Sequence, residues 1–248
     1  MISKSILSLL ALASTALLCA QGKPDDFIEA KLRIVSVEQP ILDHGIINRG
    51  KFIPLIIATG SLSQEIDYRG PARFELVAAP EVTEETKAKG TAAPVRKATW
   101  WIKLPTDKSK HRMILLVGQP AENGGIIAME DDAKTFTFGS NRYLNFCPYP
   151  ISVKLPVGVL PIPSQSSKTT KSGAKSGVYY DLVIKSQENG EEKMAYSTRV
   201  LQNDGLRKIY FIYPAQADTG RVRFKVIDDR PTPKDLPART EVPDPTGK

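Results

Sequence analysis

An apolar–polar alternation of period two, repeated in segment after segment, constrains this chain more than any other feature. Ile28, Ala30, Leu32 and Ile34 fall on one side of a stretch whose other side carries Glu29, Lys31 and Arg33. Ala98, Trp100, Ile102 and Leu104 repeat the pattern, as do Val178, Tyr180, Leu182 and Ile184. Near the end, Val222, Phe224 and Val226 alternate with Arg221, Arg223 and Lys225. Successive side chains of a strand point to opposite faces, so such segments are half-buried antiparallel strands. No comparably long segment has helical spacing, and the expected fold class is all-β.

Strands are expected near 27–37, 51–58, 72–78, 96–104, 111–118, 134–138, 141–147 and 151–155. A four-strand meander is expected over 177–186, 191–200, 207–213 and 221–228. Its turns are signalled by Asn189-Gly190, Asn203-Asp204-Gly205 and Asp218-Thr219-Gly220, residues that tolerate positive φ. A dozen strands suit two tandem antiparallel β-sandwiches, immunoglobulin-like or jelly-roll-like, with a single large sandwich as the alternative. Gly118–Gly125, polar and carrying Pro120 and Gly124-Gly125, is the expected boundary. It places one sandwich over 24–120 and the other over 125–230. Thr83–Pro94 reads as a polar excursion. Ser164–Gly177, with three lysines and no acid, reads as a mobile loop. Residues 231–248, rich in proline, read as a disordered tail.

The first 20 residues have one charge, Lys4, then a short apolar run, Ile6–Leu18, and a small residue at Ala20. That run is shorter than the ~20 residues of a spanning helix. It reads as an export signal cleaved after Ala20, giving a periplasmic or extracellular protein without a transmembrane segment. Lipid anchoring through Cys19 is the lesser alternative, since Leu17 and Leu18 precede it. Cleavage leaves Cys147 as the one cysteine, so an internal disulfide is excluded and stability must come from buried apolar area.

Cys147-Pro148-Tyr149-Pro150 resembles a dithiol redox motif, but Pro150 occupies the position of the resolving cysteine. The alternating Ile151–Val157 that follows is no helix start to lower a thiol pKa. Cys147 is therefore expected to be a buried, unreactive strand-end residue, with Leu144 and Phe146 facing the second core. His44 and His111 stand far apart, in no metal-ligand spacing. Glu130-Asp131-Asp132 lacks the spacing of a calcium loop. There is no Gly-x-Ser-x-Gly elbow and no phosphate-binding glycine loop. Asp43-His44 sits in an expected loop without a sequence-adjacent nucleophile. No catalytic residue, metal ligand or cofactor is assigned.

The formal charge of +7 admits acidic partners. If the meander holds, one polar face carries Arg199, Lys208, Tyr210, Arg221, Arg223 and Lys225. Cations interleaved with an aromatic can hold an anionic polymer. The alternative is a solvated face whose charges discourage strand pairing. Export disfavours nucleic acid as the partner and favours an anionic envelope polysaccharide or an envelope protein. Trp100 is expected in the core and Trp101 outside it, packed against the second sandwich, with stacking on a sugar ring as the alternative.

Arg142-x-x-Asn145, followed by Pro150 and Ile151, resembles the opening hairpin of the sandwich domains of the alginate O-acetylation accessory family. The whole mature chain resembles uncharacterised two-domain exported proteins of planctomycete- and verrucomicrobium-like bacteria. These resemblances imply a non-catalytic envelope accessory protein. Asn145 also suits a turn on physical grounds, because its side chain can bond nearby backbone amides. The leading expectation is thus a non-catalytic binding or scaffold module. A glycan hydrolase with carboxylates that meet only in space is the alternative. A subunit that docks through an apolar sheet edge is a third reading.

Overall fold

A computed structural model describes residues 27–79, 98–108, 110–188, 191–215 and 221–231. The expected export signal, the Thr83–Pro94 excursion, the Asn189-Gly190 and Asp218–Gly220 turns and nearly all of the tail lie outside the described residues.

The described residues form sixteen strands. The first eight are β1 (Phe27–Ser36), β2 (Ile41–Asn48), β3 (Lys51–Ile57), β4 (Ile66–Pro71), β5 (Arg73–Ala78), β6 (Ala98–Lys103), β7 (Lys110–Val117) and β8 (Ile126–Glu130). The second eight are β9 (Ser140–Asn145), β10 (Ile151–Leu155), β11 (Gly158–Ile162), β12 (Ser166–Lys171), β13 (Tyr179–Glu188), β14 (Glu191–Leu201), β15 (Arg207–Pro214) and β16 (Val222–Asp229). They make four four-stranded sheets ordered β3-β2-β5-β6, β4-β1-β7-β8, β12-β9-β15-β16 and β11-β10-β13-β14. The first two sheets form one sandwich and the last two another, so the expected all-β tandem-sandwich fold is present. Most pairings are antiparallel, but β1 with β7 and β9 with β15 are parallel.

Three apolar layers separate the four sheets. Leu32, Ile34, Phe74 and Trp100 belong to the core of the first sandwich. Tyr143, Val153, Leu182 and Tyr210 belong to the core of the second. Between the sandwiches, Val35, Ile114 and Leu116 meet Phe136, Leu144, Ile209, Phe211 and Ile227. The strands at this middle layer are buried on both faces, which is why Met113–Val117 and Ile209–Ile212 are continuous apolar runs.

Several expectations are corrected. Gly118–Gly125 does not divide the domains. It is the β7–β8 connection, and β8 pairs with β7 inside the first sandwich, Val117 opposite Ile126. Gly124 (φ 94°) and Gly125 (φ 66°) lie against Trp101 and Trp100, and a Cβ would collide with the Trp101 carbonyl at Gly124 and with the Gln119 carbonyl at Gly125. The chain crosses between sandwiches after β8, over residues 131–139. Residues 134–138, expected as a strand, form turns in this connector. The meander is two hairpins in opposite sheets, β13–β14 and β15–β16. Ser166–Lys171, expected in a mobile loop, is strand β12, whose backbone pairs with β9 although its side chains bury little. Trp101 carries the Arg73 guanidinium 4.1 Å above its ring on the sheet farthest from the second sandwich. Leu144 and Phe146 face the middle layer, while Tyr143 and Cys147 enter the second core.

Candidate functional site

The middle layer holds charge as well as apolar surface. Arg33 of β1 meets Asp131 of the connector at 2.6 Å and Asp229 of β16 at 2.7 Å. Arg207 of β15 meets Asp131 at 3.0 Å and also binds Asp229. All four side chains are at most 5 % exposed. Burial alone would lower the Arg33 pKa, but Asp229 and Asp131 raise it. Arg112 reaches Asp131 at 3.2 Å from the outer side, and Glu65 at 3.4 Å. Arg142 lies over the Phe136 ring and donates to the Glu130 carbonyl. Lys225 donates to the Val37 carbonyl across the layer at 2.9 Å, and burial lowers its pKa. Two cations against two carboxylates at the centre leave no net charge. Such a cluster fixes orientation more than it adds stability over an apolar filling. It locks the sandwiches together.

The six residues expected on one basic face are divided among different surroundings. Tyr210 is 1 % exposed in the second core, because β15 is covered on both sides. Arg223 and Lys225 lie on the face of β16 turned toward the first sandwich. Arg221 is exposed just before β16. Arg199 lies on the outer face of the last sheet, 3.7 Å from Asp181 and with its guanidinium 5.7 Å from the Tyr179 ring. Lys208 is 3.6 Å from Asp228. A single basic face therefore does not form. The meander placed β14 and β15 in one sheet, whereas they flank the gap between two.

That gap brings three of the six together. β14 and β16 are the facing edge strands of the second sandwich, and between them runs a groove of about 380 Å³. Arg199 and Lys208 line it together with Tyr210, Phe224, Val200 and Val226. Phe224 packs edge-on against Tyr196 at 4.3 Å. Edge strands also present unpaired backbone groups to whatever enters. Alternation found the cations and aromatics, but not the edge they border.

Other candidates resolve structurally. Cys147 is fully buried, its Sγ 4.0 Å from the Ile212 carbonyl. Asn145 accepts from the Cys147 amide at 2.9 Å and donates to the Tyr149 and Pro163 carbonyls, so its side chain shapes the corner as expected for a turn residue. His44, in a strand rather than a loop, joins Asp43 at 2.7 Å to the Thr99 hydroxyl at 2.9 Å. Its ring stands edge-on to Trp100, and its hydrogen bond lowers the Asp43 pKa. Both imidazole nitrogens are thus satisfied in a nine-tenths buried ring. Among the described residues no group of three His, Cys, Asp or Glu side chains could hold a metal ion, and no helix is long and apolar enough to cross a membrane.

The fold is a tandem β-sandwich whose halves are joined through a buried ionic layer. No family model matches the chain, and no curated protein matches it.

Proposed function

We propose that this is a non-catalytic binding or scaffold protein exported to the cell envelope, and that the β14–β16 groove holds a segment of an anionic glycan. The supporting observation is a groove lined by Arg199 and Lys208 together with Phe224, Val200 and Val226. Cations suit carboxylate or sulfate groups, and ring faces suit the apolar sides of sugars. The partners Asp181 and Asp228 are near 3.7 and 3.6 Å and exposed, so a polyanion can displace them at small cost. The apolar segment near the N-terminus supports export. The resemblance to exported two-domain proteins supports an envelope setting.

The test is affinity electrophoresis of the chain from Gln21 in gels containing dextran sulfate or uncharged dextran. Retardation by the sulfated polymer should weaken with salt. The pair Arg199→Ala/Lys208→Ala should weaken it about tenfold, as two lost exposed charge contacts imply. A charge-matched control, Lys171→Ala/Lys175→Ala, should have a smaller effect. Equal loss in both pairs, or equal retardation by uncharged dextran, would overturn the assignment.

A further inference from the structure

We infer, on the glycan reading of the β14–β16 groove, that the bound chain continues from that groove into the cleft between the two sandwiches, where a hydroxyl-bearing sugar unit lies against Asp228, Arg230, Ser61 and Gln64. The cleft has a volume of about 540 Å³. It shares Gly60 and Asp228 with the groove, so the two adjoin. One wall is the Gly60–Gln64 segment of the first sandwich, and the other is the end of β16 with Arg230. Arg33 and Asp229, whose 2.7 Å ion pair joins the sandwiches, also line it. From Phe224 to Asp229 the strand covers ~17 Å, room for more than one sugar ring. Domain interfaces are preferred places for ligand sites.

Both walls are held before a ligand arrives. The Ser36 amide donates to the Ala58 carbonyl at 2.9 Å, and the Ser63 amide to the Ile34 carbonyl at 2.8 Å. The Ser63 hydroxyl accepts from the Ile34 amide and donates to the Gln64 carbonyl. These bonds pin the segment along β1, and a wall already ordered lowers the cost of binding. The exposed side chains of Ser61, Gln64 and Arg230 have no hydrogen bond or ion pair among the described residues. Charge favours a glycan over a simple polyanion. Asp229 is neutralised by Arg33 and Arg207, and Asp228 is held by Lys208 at 3.6 Å. When an acidic group of the ligand takes Lys208, the Asp228 carboxylate loses its partner. A chain of phosphates or sulfates alone has nothing to donate to it. A sugar hydroxyl does donate, and an O–H···O⁻ bond is of the strong, charge-assisted kind. Ser61 and Gln64 can pair with further hydroxyls, and Arg230 with the next acidic group.

The test uses the chain from Gln21 in gels containing lightly sulfated dextran, which keeps free hydroxyls. Arg230→Ala should weaken retardation about threefold, and Ser61→Ala/Gln64→Ala about three- to tenfold. All three positions are exposed, so these variants should melt with the wild type. Asp228→Ala separates hydroxyl recognition from charge attraction. Attraction alone would tighten binding once a carboxylate is removed, whereas hydroxyl recognition should weaken it about threefold. Loss in Arg199→Ala/Lys208→Ala with every cleft variant within twofold of wild type would overturn the continuation and leave the groove standing. Loss in the cleft variants with an unaffected groove pair would overturn both the groove and the continuous path. Absence of retardation in the wild type would overturn both readings. Equal or tighter binding in Asp228→Ala would overturn the hydroxyl contact.

Discussion

Replacing Asp131 by alanine tests the buried ionic layer most directly. Its carboxylate is fully buried and lies 2.6 Å from Arg33, 3.0 Å from Arg207 and 3.2 Å from Arg112. Removing it leaves Arg33 and Arg207 sharing Asp229 alone, with one positive charge uncompensated between the sandwiches. One ion contact at 4 Å is worth ~4 kcal/mol at an effective dielectric constant of 20, and breaking a buried pair typically costs ~3–5 kcal/mol. For a chain of this length that is about 10 °C or more in melting temperature. The molecule supplies its own domain-specific probes. Both tryptophans, Trp100 and Trp101, lie in the first sandwich, and Cys147 is buried in the second. Urea unfolding of the chain from Gln21 is followed by tryptophan fluorescence and by labelling of Cys147. In the wild type the two transitions should coincide. In Asp131→Ala both should move to lower urea and separate, because the charged layer that couples the halves is broken. Asp131→Asn should behave similarly, since it restores shape but not charge. A loss below ~1 kcal/mol with coincident transitions would refute the reasoning.

Two other outcomes follow from the same geometry. Burial raises the pKa of Tyr68 to about 12 and raises those of Tyr143, Tyr180, Tyr210 and Tyr213. Their folded-state values lie above the ordinary value of 10, so their stabilising contribution is complete below pH 10 and is lost as pH rises through the folded values. Absorbance near 295 nm should show Tyr68, Tyr143, Tyr210 and Tyr213 un-ionised at pH 11 and appearing together with unfolding; their ionisation in a still-folded protein would contradict this. Gly124→Ala should cost at least ~2 kcal/mol, measured by urea unfolding, because φ is 94° and the new Cβ would lie 1.8 Å from the Trp101 carbonyl oxygen. A variant as stable as wild type would show that the β7–β8 connection is not held against β6.

The sequence by itself determined the strongly alternating strands, β1, β6, β13 and β16, and which of their faces are apolar, but not β2, β4, β8, β11 or β12. Alternation in β1, β6 and β13 depends only on the pleat. It placed Trp100 inside and made Cys147 an inert strand end in expectation. Tertiary structure decided what covers the other faces. Arg33 belongs to the polar side of β1, and nothing local says that side is buried. It is buried because Asp229, 196 residues away, and Asp131, 98 residues away, meet it there. Tyr210 lies on what looked like an outward face for the same reason. Hairpins are local, so β13–β14 and β15–β16 were legible, but sheet membership is set by long-range pairing, as when β15 lies parallel to β9. The β14–β16 groove and the cleft beside Gly60 exist only once those pairings leave edges open and bring the two sandwiches together. Period two names a strand's faces, and only the neighbouring layer decides whether a charged face meets water, a ligand or another sandwich.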